Sequence, residues 1–314
     1  MRIITKWSDF TESGSAVTIG FFDGVHVGHV ALLKKLKKEA AKRNVPSVIV
    51  TFSNHPREGL QAHYVPKLLT TTPERIAKLE EVGIDYCIEL PFDKELAVNT
   101  SRLFMRKYLA DQLHACYLLI GHDHHFGCDR EHGLDYYQQI GADLNIEVEQ
   151  DSAFLSEGVR VSSSLIRKNL EEGGVAPASR MLGYTYFIEG TVVPGHKVGR
   201  TIGFPTANIA ISDVHKLIPR EGVYAVEAEV EGETGRFQGM LNIGVRPTFV
   251  TQSVAKSIEV HLFDYEGDLY HKKITVYFQS YMRSEVKFDT PEKLSKQLQE
   301  DKIEILNYFA SRKG

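Results

Sequence analysis

Cysteine is scarce in this chain. Its 314 residues include three, Cys87, Cys116 and Cys128, an odd number with no CxxC pair, so neither a disulfide framework nor a structural zinc site is suggested and reduced thiols are expected. Long apolar runs are missing as well. None approaches the roughly 20 residues that span a bilayer, and the opening MRIITKWSDF lacks the basic-then-apolar layout of a signal peptide. A cytoplasmic protein with no membrane partner is expected. Nor is there an excess of positive charge: 37 Lys and Arg stand against 41 Asp and Glu, for a net charge of −4, so nucleic acid is not expected as a partner. The Walker A pattern GxxxxGK[ST] is absent, as are repeats and low-complexity segments.

What is present divides into two textures. From residue 16 to about 150, apolar runs such as AVTIGFF, SVIVTF, YCIEL and YLLIG alternate with amphipathic stretches such as HVALLKKLKKEAAK, PERIAKLEEVG and TSRLFMRKYLADQL. That βαβα rhythm predicts an α/β domain with a mostly parallel sheet, and ligands of such sheets bind beyond the carboxyl ends of the strands. After about residue 185 short alternating runs broken by glycine take over: YFIEGTVV, GVYAVEAEV, RFQGMLNIG, SIEVHLFDY and KKITVYFQ. These predict a small antiparallel β-barrel followed by a C-terminal helix, TPEKLSKQLQEDKIEILNYFA. The boundary is expected near residues 173 to 185, giving domains 1–180 and 181–314. In the last helix, Leu294, Leu298 and Ile303 read as ordinary packing against the barrel.

Two stretches carry phosphate chemistry. AVTIGFF runs into FDGVHVGHVALL, which places Gly20, Gly24 and Gly28 around His26 and His29 at a helix start, where free N–H groups and the positive dipole end favour an anion. Histidines three apart can face one phosphoryl group and donate to it as its charge builds up. Further on, GHKVGRTIGFPTANI puts Gly195, Gly199 and Gly203 ahead of Thr206 and Asn208. Glycines let backbone amides approach phosphate oxygens, and the Thr206 hydroxyl and Asn208 carbonyl are hard ligands suited to Mg²⁺. Glu259 faces away from Ile258, Val260 and Leu262 in its strand, and so toward a cleft or toward solvent. The cluster His122, Asp123, His124, His125 and Cys128 reads as a polar substrate loop in preference to a zinc site.

FDGVHVGH resembles the HxGH signature of the nucleotidyltransferase superfamily, in the form typical of the bifunctional riboflavin kinase/FMN adenylyltransferase family. VSSSLIR resembles the companion SSxxxR signature, TFSNHP the family's TFxPHP, GHDHHFG its GxDFxFG loop, and GRTIGFPTAN the PTAN signature of riboflavin kinases. GVYAV, NIGVRPTF and SIEVHLFDY follow in the family's order.

The resemblance implies a Rossmann-like nucleotidyltransferase domain followed by a kinase barrel. Its substrates would be riboflavin, FMN and ATP, with Mg²⁺ as cofactor and FMN and FAD as product ligands. It assigns ATP and its phosphates to Gly20, Phe22, Gly24, Gly28, Ser162, Ser163 and Arg167 with catalytic His26 and His29. It assigns flavin to His55, Asp123, Phe126 and Arg283, metal to Thr206 and Asn208, and the general base to Glu259. Arg246 would line the kinase cleft or pair at the surface. Asn54, His124 and Cys128 depart from the family pattern, which leaves open a paralogue with one working half, and a flavin-sensing protein without catalysis is a further alternative.

Overall fold

The computed structural model describes residues 1–55, 65–122, 125–129, 133–156, 158–194, 203–247 and 254–312, with the side chains of 246, 247, 254 and 255 outside the description. Asp123, Gly195 and Gly199 therefore lie outside the described residues, as does the Arg246 side chain. The chain divides into two compact units, Met1–Ser163 and Ser164–Gly314.

In the first unit, β1 (Arg2–Ile4), β2 (Ser15–Ile19), β3 (Ser47–Phe52), β4 (Tyr86–Leu90), β5 (Ala115–Ile120) and β6 (Glu147–Gln150) form a sheet in the order β1-β4-β3-β2-β5-β6. All its pairings are parallel. Strand alternation assigns the two faces. Val17, Val48, Ile88 and Leu118 pack into one core with Phe104, Tyr108 and Tyr137, while Ala16, Ile49, Cys87 and Tyr117 pack into the other with Leu33, Leu36 and Leu79. The second face is covered by α1 (Val27–Lys42) and α2 (Thr72–Val82), the latter opened by a Thr71–Glu74 capping box and stopped by Gly83. The predicted helix over TSRLFMRKYLADQL is divided into an α-turn at Ser101–Phe104 and a π-helical turn at Met105–Ala110. The third long helix, α3 (Leu134–Leu144), precedes β6, and a two-stranded hairpin of β7 (Leu155–Ser156) and β8 (Val159–Arg160) follows it.

After β2 the chain runs outward to β3 and β4, then returns to the opposite side of β2 as β5. The switch point lies at the carboxyl ends of β2 and β5, and the Gly20–His29 segment leaves the sheet there.

The second unit opens within α4 (Ser163–Glu171), whose first residue closes the first unit, and continues with α5 (Val175–Leu182). Both belong with the barrel: α5 packs on the strand Lys273–Arg283, Arg220 N–H donates to Leu170 O at 3.0 Å, and Gly173 lies against the Tyr281 ring. The strands β9 (Phe187–Val193), β10 (Ala207–Ala210), β11 (Gly222–Val230), β12 (Phe237–Pro247), β13 (Val254–Leu262) and β14 (Lys273–Arg283) close as β10-β13-β12-β11-β14-β9. All pairings are antiparallel. The final helix, α6 (Pro291–Ala310), starts at Thr290, which accepts the Lys293 N–H. Ile303 does not pack as the sequence suggested. It is 61% exposed, whereas Ile305 and Phe309 are buried, because the inward stripe runs through 298, 301, 305 and 309 and position 303 falls on the far side. Among the described residues no helix is long and apolar enough to cross a membrane.

Candidate active sites

The turn after β2 is built around Asp23. This carboxylate is 5% exposed and accepts hydrogen bonds from Leu69 N–H at 2.9 Å and Thr70 N–H at 3.1 Å, while Thr70 Oγ1 accepts from Gly24 N–H at 3.0 Å. The chain is thereby pinned in a reversal that needs φ values of 54° at Phe22 and 79° at Gly24. Gly20 makes room for that reversal, since a Cβ there would sit 2.9 Å from the Phe22 ring. Sequence reasoning left Asp23 without a role. Its signal was present, as an aspartate inside an apolar strand-to-helix turn.

His26 then caps α1: its Nδ1 accepts the His29 N–H at 3.2 Å. An acceptor at Nδ1 puts the neutral ring's proton on Nε2, the donor that a phosphoryl oxygen requires. The His26 and His29 rings stack at 3.6 Å between centroids, and Phe22 meets His29 edge-on. Gly28 sits under this pair, where a Cβ would lie 3.2 Å from His26 Nδ1 and 3.3 Å from Phe154 Cβ. Ser163 Oγ donates to the backbone oxygen of Asp23 at 3.0 Å, so the start of VSSSLIR meets the FDG turn directly, with Ser162 just before it. Arg167, counted with the second unit, reaches Ser164 Oγ at 3.4 Å.

The proposed flavin residues of this unit are differently placed. His55 meets Phe21 edge-on at 5.0 Å, and the Arg75 guanidinium lies 4.3 Å from the same ring. Phe126 is 8% exposed and stacks on Tyr137, which puts it in the core. Asn54, a departure from the family pattern, has a visible reason: it exchanges two hydrogen bonds with the Phe92 backbone, at 3.1 and 2.7 Å, and ties the end of β3 to the segment after β4.

In the barrel, PTAN is half loop and half strand. Gly203 turns the chain with φ 81°, and β10 begins at Ala207, so Asn208 stands opposite Glu259 of β13. Glu259 in turn stands opposite Asn242 of β12. Residues paired this way share a sheet face, which puts Asn208, Glu259 and Asn242 in one row. Thr206 Oγ1 donates to Glu259 Oε2 at 3.2 Å. Ile258 and Val260 point the other way and are buried.

A cavity of about 320 Å³ lies along this row, with Thr206, Asn242, Glu259 and Arg283 on its barrel side and Leu294 and Leu298 of α6 on the other. His261, two residues past Glu259, is 9% exposed and its Nδ1 is 2.8 Å from Pro205 O, which anchors the PTAN segment. Burial holds His261 below the ordinary histidine value, partly offset by that hydrogen bond. Neither Asn242 nor His261 was singled out from the sequence, although both follow from the strand registers.

A parallel sheet with paired histidines at its switch point and a closed barrel bearing Thr, Asn and Glu on one face together define a two-unit, ATP-dependent transferase. Residues 9–165 match the family model described as FAD synthetase, and residues 182–309 match that described as riboflavin kinase. Over 313 residues the chain is 36% identical to the bifunctional riboflavin kinase/FMN adenylyltransferase of Escherichia coli (strain K12), covering 100% of this chain and 98% of the relative. It is 33% identical over 304 residues to the protein of the same name from Bacillus subtilis (strain 168), covering 96% and 94%. A crystal structure described as a macrolide-efflux protein from Streptococcus pneumoniae superposes with a TM-score of 0.85 at 30% identity, covering 97% of this chain and 98% of that one. The chain belongs to the bifunctional riboflavin kinase/FMN adenylyltransferase family.

Proposed function

We propose that this chain makes both flavin cofactors: the barrel transfers the γ-phosphoryl group of ATP to the 5′-hydroxyl of riboflavin, and the sheet unit transfers AMP from ATP to FMN. The first step yields FMN and ADP, the second FAD and pyrophosphate. One observation carries the kinase assignment: Glu259 stands between Asn208 and Asn242 with the Thr206 hydroxyl 3.2 Å away, at the wall of a ligand-sized cavity. A carboxylate there takes the proton from the attacking alcohol, which is the work of a general base.

The oxygens of Thr206 and Asn208 fit Mg²⁺. They are hard and neutral, and among the described residues no cluster of His, Cys, Asp and Glu competes for a metal, so the ion would be held largely by substrate phosphates. When bound, Mg²⁺ offsets negative charge on the phosphate oxygens. In the sheet unit, His26 and His29 donate to the α-phosphate as charge develops, while the Ser162–Ser163 helix start holds the departing pyrophosphate. Flavin contacts by His55, Asp123, Phe126 and Arg283, and phosphate contacts by Gly195, Gly199, Gly203 and Arg167, belong to this same proposal. The sheet unit and the barrel carry one activity each, with the boundary at Ser163/Ser164 rather than at the 180/181 position expected from the sequence, and three free cysteines agree with a cytoplasmic setting.

The test separates the two activities with one substitution. Purified protein is incubated with ATP, Mg²⁺ and either riboflavin or FMN, and the flavins are resolved by chromatography. Glu259→Gln is expected to slow FMN formation by about 100-fold or more, the usual size of a general-base contribution, and to leave FAD formation from added FMN intact. Substantial FMN formation by Glu259→Gln would refute the assignment.

A further inference from the structure

The last helix reads from sequence as a cover for the barrel, yet its inward stripe contains a carboxylate. Asp301 is 2% exposed. Its Oδ1 accepts from Arg283 Nε at 2.8 Å and from Gln297 Nε2 at 3.0 Å, and its Oδ2 accepts from Arg283 Nη2 at 2.7 Å. Burying a carboxylate is costly unless its partners are well arranged, and a helix needing only to cover apolar surface would carry an apolar side chain here. One turn on it does so with Ile305, and a further turn on with Phe309.

The partner of Asp301 explains the placement. Arg283 ends β14 and lines the cavity that Glu259 also lines. Its Nη1 donates to Ser284 O at 3.0 Å, so three of the five guanidinium N–H groups are engaged by protein and two are left for a ligand. The two-point contact with Asp301 fixes the guanidinium plane, as a single hydrogen bond cannot. Leu294 and Leu298, from the same helix, add an apolar wall.

We infer that Asp301 is a positioning residue of the riboflavin kinase site: it sets the guanidinium of Arg283 against the planar flavin ring and makes α6 part of the flavin-binding wall. This rests on the kinase reading above. The two variants Asp301→Asn and Asp301→Glu are compared with the wild type in riboflavin phosphorylation, with FMN adenylylation by the same chain as internal control. Asp301→Asn keeps the shape and loses the two-point carboxylate. It is expected to raise the KM for riboflavin about 10-fold, the effect of losing roughly one oriented hydrogen bond to a charged group, with the KM for ATP within twofold of wild type and FAD formation unchanged. Asp301→Glu, which restores the carboxylate, is expected to recover part of the loss.

Should Asp301→Asn fail to fold, the paired Arg283→Met/Asp301→Leu variant removes both charges without stranding either. It is expected to fold and to show the same selective rise in riboflavin KM. A riboflavin KM within twofold of wild type in either folded variant overturns the inference, as does an equal rise in both KM values. Absence of FMN formation by the wild-type chain is a different result, and it would overturn the kinase reading together with this one.

Discussion

Asp23→Ala tests whether the HxGH turn owes its shape to one buried carboxylate. The substitution leaves Leu69 N–H and Thr70 N–H, both buried, without the acceptor they have at 2.9 and 3.1 Å. An abandoned buried donor costs about 1–3 kcal/mol, so the loss is roughly 2–6 kcal/mol. For a unit of this size each kcal/mol moves the melting transition by about 2–4 °C, which predicts a fall of roughly 4–24 °C. Asp23→Asn keeps one oxygen but sets an amide donor against the Leu69 N–H, and its expected loss is about half as large. Calorimetry of the full chain reads the transition, and the chromatographic assay reads function. FAD formation from FMN should drop in both variants, because Phe22, Gly24 and His26 lose their anchor, while FMN formation from riboflavin persists. An Asp23→Ala protein that melts within 2 °C of wild type, or that makes FAD at the wild-type rate, would refute the reasoning.

Two further predictions use the same pair of assays. Gly28→Ala places a methyl group 3.2 Å from His26 Nδ1 at a helical position. Alanine favours the helix by about 1 kcal/mol, so stability is expected to hold or rise while FAD formation falls roughly 10-fold, the rate equivalent of about 1.4 kcal/mol; loss of stability together with activity would count against this reading. His261 is held below its ordinary value of 6.5 by burial. The unfolded chain therefore takes up this proton first as the pH falls, and the stability from burying the neutral ring, full above that ordinary value, is lost from about pH 6.5 downward through the folded-state value. Between pH 7 and pH 5 the wild-type barrel should lose more of its melting temperature than His261→Gln does, and parallel curves would show that His261 contributes nothing to the pH dependence.

Much of the fold was legible because its signals are periodic. Five barrel strands and the parallel strands β2 to β5 show as runs of apolar residues at period two or as unbroken buried runs, and each strand lies where its run does. What escaped lacks a period. β10 is four residues long and follows a stretch rich in glycine and proline, so PTAN read as loop throughout, and the pairing of Asn208 with Glu259 was invisible. The π-helical turn at Met105–Ala110 has the same apolar spacing as an α-helix, and its extra residue leaves no compositional mark.

The candidate sites divide the same way. His26, His29, Thr206 and Glu259 stand out because their residue types are chemically pointed, and the structure places Thr206 beside Glu259 and stacks His26 on His29. Asp23, His261 and Asp301 act through other residues, and no motif announces them. Asp301 nonetheless left a trace. Along α6 the positions 294, 298, 301, 305 and 309 follow the helical repeat, and four of the five are Leu, Leu, Ile and Phe. A carboxylate on an apolar stripe must be satisfied by a cation from the surface it packs on, since leaving it unpaired would cost more than the helix gains by burying it. The stripe alone therefore calls for an arginine or lysine on the barrel face beneath, and Arg283 at the end of β14 is the one the fold delivers. A polar residue at a helical core position is thus as informative as a motif, provided the question asked of it is what it must be touching.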